Sequence, residues 1–471
     1  MNLEDGVVGW EDEDDPKHPQ NFSPTRKWLI TALLSALAFL TPFASSIIAP
    51  AIKYIAEDFG VSDITLSAMP VSIFLLGYAI GPLFLSPLSE IYGRRTTMMA
   101  SHLIFCLFLI ACALSPSISL LIFFRFVCGV GGSASQTVGG AVIADLFPVS
   151  ERGHAMSFWI LGPILGPSLA PLVGGFLAES IGWRWAHWIT LIPAGVLLVA
   201  MVLAYPETHH EVLIQQKTKE LASALDRPGL RNCYADATEK ATSSTDTIII
   251  GLTRPLKLLF SSTIIFGVSL YVAFSYGCLY LLFNTIPTVY LGSYSWSTGI
   301  SGIVYLALLF GYLVGLLAFS LLSDKTVRHM TSANGGVYEA EMRLPFCVYF
   351  AGLLPISFFL YGWSADQAVH WAVPTLGLAI FGIGFEGIWL PTQIYIVDAY
   401  SRYAASALAA FCVMRSVVAA FLPLAGPIMY KKLGIGWGNS VLGFISLAMV
   451  PIPVLICKFG GRLRRNEKLQ L

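Results

Sequence analysis

Among 28 Lys/Arg and 28 Asp/Glu, only Glu386, Arg125 and Arg415 fall deep inside long apolar segments of this chain. A charge at bilayer depth costs about 2.5–3.5 kcal/mol or more, so such residues face a polar cavity, pair with one another or bond backbone carbonyls. Glu386, within Gly382-Ile383-Gly384-Phe385-Glu386-Gly387-Ile388-Trp389, is the one carboxylate well inside such a segment. Loss of water favours the neutral acid, whereas approach of Arg125, Arg415 or a cationic substrate favours the carboxylate. That chemistry suits binding of a coupling proton, or competition for it with a substrate. Lasting pairing with Arg415, or a lining position without a coupling role, are the plainer alternatives. Arg125 is expected to face a cavity, with bonding to neighbouring carbonyls as its alternative. Tyr271, Phe274, Tyr276 and Tyr280 in one segment, and Trp389, Gln393 and Tyr395 in another, recur at spacings that put several on one helical face. Such a wall suits amphipathic, ring-containing solutes, although aromatic residues also pack helices and meet headgroups.

These side chains need membrane helices to hold them. The chain is 56% hydrophobic and 12% charged, against roughly 25% charged in soluble domains, which predicts an all-α polytopic membrane protein and argues against nucleic-acid binding. Runs long enough to span occur at Trp28–Ile48, Leu66–Leu85, Met98–Leu114, Leu120–Ala144, Met156–Leu177, Trp188–Leu203, Thr263–Thr285, Ile300–Leu322, Phe346–Tyr361, Val373–Val397, Ala404–Ile428 and Val441–Cys457. With a cytoplasmic N-terminus, every Lys/Arg is inside except Lys53, Arg184, Lys431 and Lys432 outside and Arg125 and Arg415 within spans, a positive-inside bias that places both termini in the cytoplasm. The expected organisation is an acidic tail (1–27), a six-helix bundle (28–204), a central cytoplasmic loop (205–262) with Lys217, Asp236, Glu239 and Lys240, a second six-helix bundle (263–457) and a basic tail (458–471). Residues 1–27 have neither a basic n-region nor an apolar h-region, so no cleaved signal peptide is expected. Leu88-Ser89-Glu90 after span two and Leu322-Ser323-Asp324 after span eight suggest a duplicated transporter. Of eight Cys, all but Cys233 lie in or beside spans, as small buried residues do.

Several motifs carry a family resemblance. Ser86-Pro87-Leu88-Ser89-Glu90-Ile91-Tyr92-Gly93-Arg94-Arg95 is similar to G-x-L-a-D-r-x-G-R-R, with Ser86 for Gly and Glu90 for Asp. Arg125-Phe126-Val127-Cys128-Gly129 is similar to R-x-x-Q-G, with Cys128 for Gln. Ala170-Pro171-Leu172-Val173-Gly174-Gly175-Phe176-Leu177 is similar to G-P-x-x-G-G-x-L, with Ala170 for Gly. Together with Pro206-Glu207-Thr208, Glu341-Met342-Arg343-Leu344-Pro345 and Asp398-Ala399-Tyr400, these make the chain resemble the major facilitator superfamily, specifically its fungal twelve-span drug:proton antiporter branch. The resemblance implies that Glu90, Gly93, Arg94 and Arg95, with Asp145, Glu151 and Arg152, form a charge network that latches the two bundles; fixing topology is the alternative. It ties Arg125 to proton coupling, and the Pro171, Gly174 and Gly175 motif to exporters. Glu386 is outside the family's motifs.

Gly129-Val130-Gly131-Gly132-Ser133-Ala134 matches a dinucleotide string but follows no strand and lies inside a span, so helix packing is its reading. There is no G-x-x-x-x-G-K-[ST] loop for ATP, no His cluster for a metal and no nucleophile elbow, so neither an enzyme nor a cofactor is expected. The expectation is a monomeric, proton-coupled antiporter of the plasma membrane, exchanging protons for small amphipathic compounds, drugs or secondary metabolites. Its rivals are an importer or facilitator of organic acids or polyamines, and a transport-inactive sensor. Two deep arginines against one acid, if all face the cavity, favour anionic or neutral substrates.

Overall fold

The computed structural model describes residues 6–12, 14–227, 229–234, 244–400 and 404–466. Asp236, Glu239 and Lys240 of the expected loop, and the ends of both expected tails, lie outside these. The first bundle comprises α1 (Pro24–Ser46), α2 (Ile52–Asp58), α3 (Ile64–Ile91), α4 (Arg94–Ala113), α5 (Ile118–Gly132), α6 (Ala134–Leu146), α7 (Val149–Ser180) and α8 (Trp185–Ala204). After α9 (His210–Ala224) and α10 (Ser244–Ser261), the second comprises α11 (Thr263–Tyr294), α12 (Thr298–Ile303), α13 (Tyr305–Ala333), α14 (Leu344–Ala351), α15 (Leu353–Asp366), α16 (Ala372–Ala399), α17 (Ala404–Met449) and α18 (Pro451–Asn466). Polar residues at the loop edges start the helices. Asp63 accepts the Thr65 and Leu66 N–H groups at 2.7 and 3.1 Å, and Ser117, Ser262 and Ser297 cap α5, α11 and α12 in the same way.

Among the described residues, eleven helical stretches are long and apolar enough to cross a bilayer, and the last, Ser406–Arg465, has 60 residues. At 1.5 Å per residue that is ~90 Å, about three hydrocarbon thicknesses. It breaks at Gly434 (φ 76°), where Asp366 accepts the Gly436 N–H at 3.2 Å and restarts the helix. The stretch therefore crosses twice, which gives twelve transmembrane passages in two bundles. Within each bundle α1 lies along α7, α3 along α5, α11 along α17 and α13 along α16; between bundles, α3 meets α17 and α7 meets α12 and α13. A Cβ at Gly162 would lie 2.6 Å from the Ser35 carbonyl, and one at Gly166 or Gly174 would overlap the Phe39 or Ile47 carbonyl. A stripe of small residues thus brings α7 to backbone contact with α1.

The expected central loop is partly helical, and the N-terminal tail packs on it. Val7–Val8 (β1) pairs in parallel with Arg231–Asn232 (β2), Trp10 Nε1 donates to Tyr234 Oη at 3.2 Å, and Lys217 lies 3.1 Å from Glu11 and 3.5 Å from Asp15. The His18 ring lies 4.6 Å from the Trp10 ring and 4.7 Å from the His210 ring. This side of the molecule, which also carries the turns at 92–93 and 147–148, is called the linker face.

Two histidines serve there as acceptors. His18 Nδ1 receives the Gln20 N–H at 3.2 Å and His209 Nδ1 the Val212 N–H at 3.4 Å, bonds that need unprotonated rings. Burial, then the nearby Arg94 and His210, pushes His209 down to about 4; burial and His210 also hold His18 below its ordinary value. A released His209 titrates near its usual ~6.5. Docking is therefore strongest above that pH and weakens as pH falls toward 4, because the released state takes up protons that the docked state refuses. Emission of Trp10, read as the difference from a Trp10→Phe variant, should shift to the red between pH 7 and 5.

Candidate functional site

The deep arginine of the first bundle is solvated by backbone. α1 stops at Ser46, so the carbonyls of its last turn have no continuing helix to bond. Arg125, with 0% exposure, donates from Nη1 to the Ala44 carbonyl and from Nη2 to that of Ser45, both at 2.8 Å, and from Nε to that of Pro70 at 2.9 Å. Its guanidinium lies 4.5 Å from the Phe74 ring centroid. A cation at a helix C-terminus also meets the negative end of the helix dipole. Arg125 is absent from the cavity lining, so the expected cavity-facing position is corrected to that of a cap on the broken first helix.

A cavity lies between the bundles, lined from the first by Pro42, Tyr78, Gln136, Pro163, Ile164 and Pro167. The second contributes Tyr276, Leu279, Tyr312, Phe385, Glu386, Trp389 and Arg415. Phe381, Phe385 and Trp389, four residues apart on α16, stack at interplanar angles of 16° and 17°, and Tyr276 and Tyr312 close on Phe385 at 6.1 and 5.6 Å. The Arg415 guanidinium lies 4.6 Å from the Tyr276 ring and 5.9 Å from that of Trp389. Arg415 donates to Cys412 Sγ at 3.5 Å. Among the described residues no ion pair joins Glu386 to Arg415. The lasting pair is thus not formed. Glu386 Oε1, Arg415 Nε, Tyr312 Oη and Trp389 Nε1 are buried without a hydrogen-bond partner. With Arg125 elsewhere, one basic and one acidic side chain line the cavity, so the expected arrangement of two arginines facing one acid is corrected.

Of the aromatic and polar residues singled out by spacing, Tyr276 and Trp389 line this cavity. Tyr271, Phe274, Gln393 and Tyr395 do not, because Tyr271 and Phe274 fall on other faces of α11 and Gln393 and Tyr395 lie beyond the cavity along α16. Tyr280 turns into the seam, sharing a 2.9 Å hydrogen bond with Ser45 Oγ. Phe385 and Tyr312 also line the cavity; the four-residue repeat Phe381, Phe385, Trp389 beside Glu386 is the sequence signal for the first.

At the linker face, Arg94 lies 3.3 Å from Asp145 and donates to Ser89 Oγ at 2.6 Å. The Glu207 carboxylate accepts four backbone N–H groups, those of Arg94 (2.8 Å), Arg95 (3.1 Å), Thr208 (2.9 Å) and His209 (2.9 Å). Gly93 has φ +93°, and a Cβ there would overlap this carboxylate, so only glycine permits the turn. Arg152 instead donates to the Ala144 and Phe147 carbonyls at 3.0 and 3.4 Å. Glu90 is exposed and makes no ion pair within 4 Å among the described residues. All these groups belong to the first bundle or the segment just after it, so the expected latch between bundles is corrected to a brace within one bundle, centred on Glu207. The second bundle repeats it: Arg343 lies 2.9 Å from Asp324 and 3.8 Å from Asp398. In the Pro171 motif, Gly174 meets α1 and Gly175 faces Thr298 across the bundles.

A family model described as Major Facilitator Superfamily matches residues 34–423. The MFS transporter cpaT of Aspergillus oryzae is 42% identical over 98% of this chain and 93% of its own. The efflux pump radE of Floropilus chiversii is 40% identical over 99% and 86%, respectively. Among solved structures, the partially occluded inward-open xylose transporter XylE from E. coli superposes with a TM-score of 0.67 at 18% identity, over 92% of this chain and 99% of that one, a likeness of fold.

Two substitutions test the first bundle's polar anchors. Arg125→Lys supplies one ammonium for three carbonyls and should cost about 1–3 kcal/mol for each carbonyl left unbonded. The reading is a lower thermal midpoint, followed by a thiol-reactive dye on the buried cysteines. Glu207→Ala should cost about 1.5–3 kcal/mol or more, the scale of a charged hydrogen bond, while Glu90→Ala leaves that midpoint within a degree or two of the parent.

Proposed function

This chain belongs to the major facilitator superfamily, and from that premise we propose that it is a proton-coupled antiporter that exports small amphipathic compounds by alternating access. The observation that carries the reading is the unpartnered Glu386 Oε1, which shares a cavity with Arg415 without pairing to it. That oxygen accepts either a proton or a donor group on a substrate, a hydroxyl or an N–H, and the two occupants exclude each other. Mutual exclusion is what an exchanger requires, since the carrier returns loaded with the other species. Arg415 offers N–H donors to a substrate carbonyl or carboxylate, and the Tyr276, Phe385 and Trp389 rings offer stacking area. Neutral or singly charged ring compounds of the drug or secondary-metabolite type fit this better than polyamines, which need several acids.

Export, rather than import, is supported by the Pro171-x-x-Gly174-Gly175 motif and by a relative named as an efflux pump. The basic residues grouped on the linker face support a cytoplasmic position for that face and for both termini. The protein works as a monomer in the plasma membrane, with the cavity opening alternately to either side.

Vesicles test this with compounds chosen from a toxicity screen of a null strain. Wild-type protein should move label against its gradient when a pH gradient is imposed. Glu386→Gln keeps an acceptor oxygen but binds no proton. It should lose gradient-driven transport at least tenfold while still exchanging labelled for unlabelled substrate. Full pH-driven transport by this variant would sink the proton role, and accumulation in the opposite direction would favour an importer.

A further inference from the structure

The face opposite the linker is where the two bundles touch backbone to backbone. A Cβ at Gly175 on α7 would lie 2.8 Å from the Thr298 carbonyl, and one at Gly302 on α12 would lie 3.0 Å from Leu172 Cα. Tyr54 and Thr298 hydroxyls meet at 3.3 Å, and one layer deeper Ser45 and Tyr280 meet at 2.9 Å. Across this seam, Glu179 Oε2 accepts the Gly299 N–H at 2.7 Å. A Cβ at Gly299 would lie 2.9 Å from that oxygen and 2.8 Å from the Phe176 ring.

We propose that Glu179 is a positioning residue for transport, whose carboxylate bonds the Gly299 N–H across the bundles and closes the cavity toward the face opposite the linker. Gly299 is in the first turn of α12, where N–H groups have no helical partner. Ser297 takes the Ile300 N–H and leaves that of Gly299 for the neighbouring bundle. Among the described residues Glu179 makes no ion pair; the nearby Arg184 is held by Asp58 at 2.5 Å. The glycine contacts supply close fit but no directional bond; beside the two hydroxyl pairs, the Glu179 carboxylate is the charged group that bonds across this seam among the described residues. Glu179 is exposed, so water replaces the bond when the bundles part and the net cost of opening is small. A gate that reopens every cycle needs that property, which a buried ion pair lacks.

The proposal rests on alternating access alone and needs neither proton coupling nor export. Its test is the distance between spin labels at Lys53→Cys and Val369→Cys, exposed positions on this face in opposite bundles. The background is Cys233→Ser with Cys457→Ser, which removes the two thiols that are not fully buried. Pulsed electron resonance on purified protein in lipid discs should give one short distance for the parent and an added longer population, at least a few-fold enriched, for Glu179→Ala. Glu179→Gln retains an acceptor oxygen and should restore most of the short population. Glu179→Asp, one methylene shorter, should fall between them and carries the test if the alanine variant does not fold. An alanine variant indistinguishable from the parent, or a glutamine variant as open as the alanine one, overturns the gate. Absence of transport in vesicles with these distance changes intact would instead count against the export reading.

Discussion

Polar groups at bilayer depth have no water to bond, and every one must find a protein partner, a cavity or a substrate. That constraint sorts the three deep charges of this chain into two kinds. Arg125 is fully committed to the carbonyls of Ala44, Ser45 and Pro70, two of them freed where α1 breaks at Ser46. Glu386 and Arg415 are not committed, and the cavity forms around them. The fixed charge shapes the scaffold, while the unfixed pair is left to meet what passes through.

The same division runs through the rest of the molecule. At the linker face, Glu207 ties the start of α4 to the segment after α8, and Arg94 ties the same corner to Asp145. These bonds hold one bundle rigid, so that bundles rather than single helices move. Between bundles, beside an apolar core that runs through both, the hydrogen bonds among the described residues are two hydroxyl pairs and one carboxylate on a backbone N–H, and glycines let the backbones meet. Rigid halves that meet through few directional bonds are what alternating access requires.

Much of this was legible in the sequence, for reasons that differ by residue. Composition and span length set the all-α membrane fold, and the paired Ser89-Glu90 and Ser323-Asp324 signals marked corners that the structure builds alike around Arg94 and Arg343. Glu386, Arg415, Tyr276 and Trp389 stood out because depth and helical spacing are local properties. For Arg125, bonding to neighbouring carbonyls was one of two readings, and the choice between them was not local, since nothing in the sequence reveals that α1 stops beside it. Tyr78, Gln136 and Tyr312 come to the cavity from other helices, which only tertiary packing brings together. Glu207 was visible as part of a motif, yet its hold on the Gly93 turn depends on a bond across 113 residues. The acid at Glu90 drew attention from its place in the motif and is left in solvent.

The central claim is that one Glu386 oxygen serves proton and substrate in turn. It is tested most directly by proton release when a transported compound binds purified protein in weakly buffered solution. Roughly one proton released per compound bound, at a pH where the acid is protonated, and none from Glu386→Gln, is the expected result. Binding that releases no proton, or that takes one up, would contradict it.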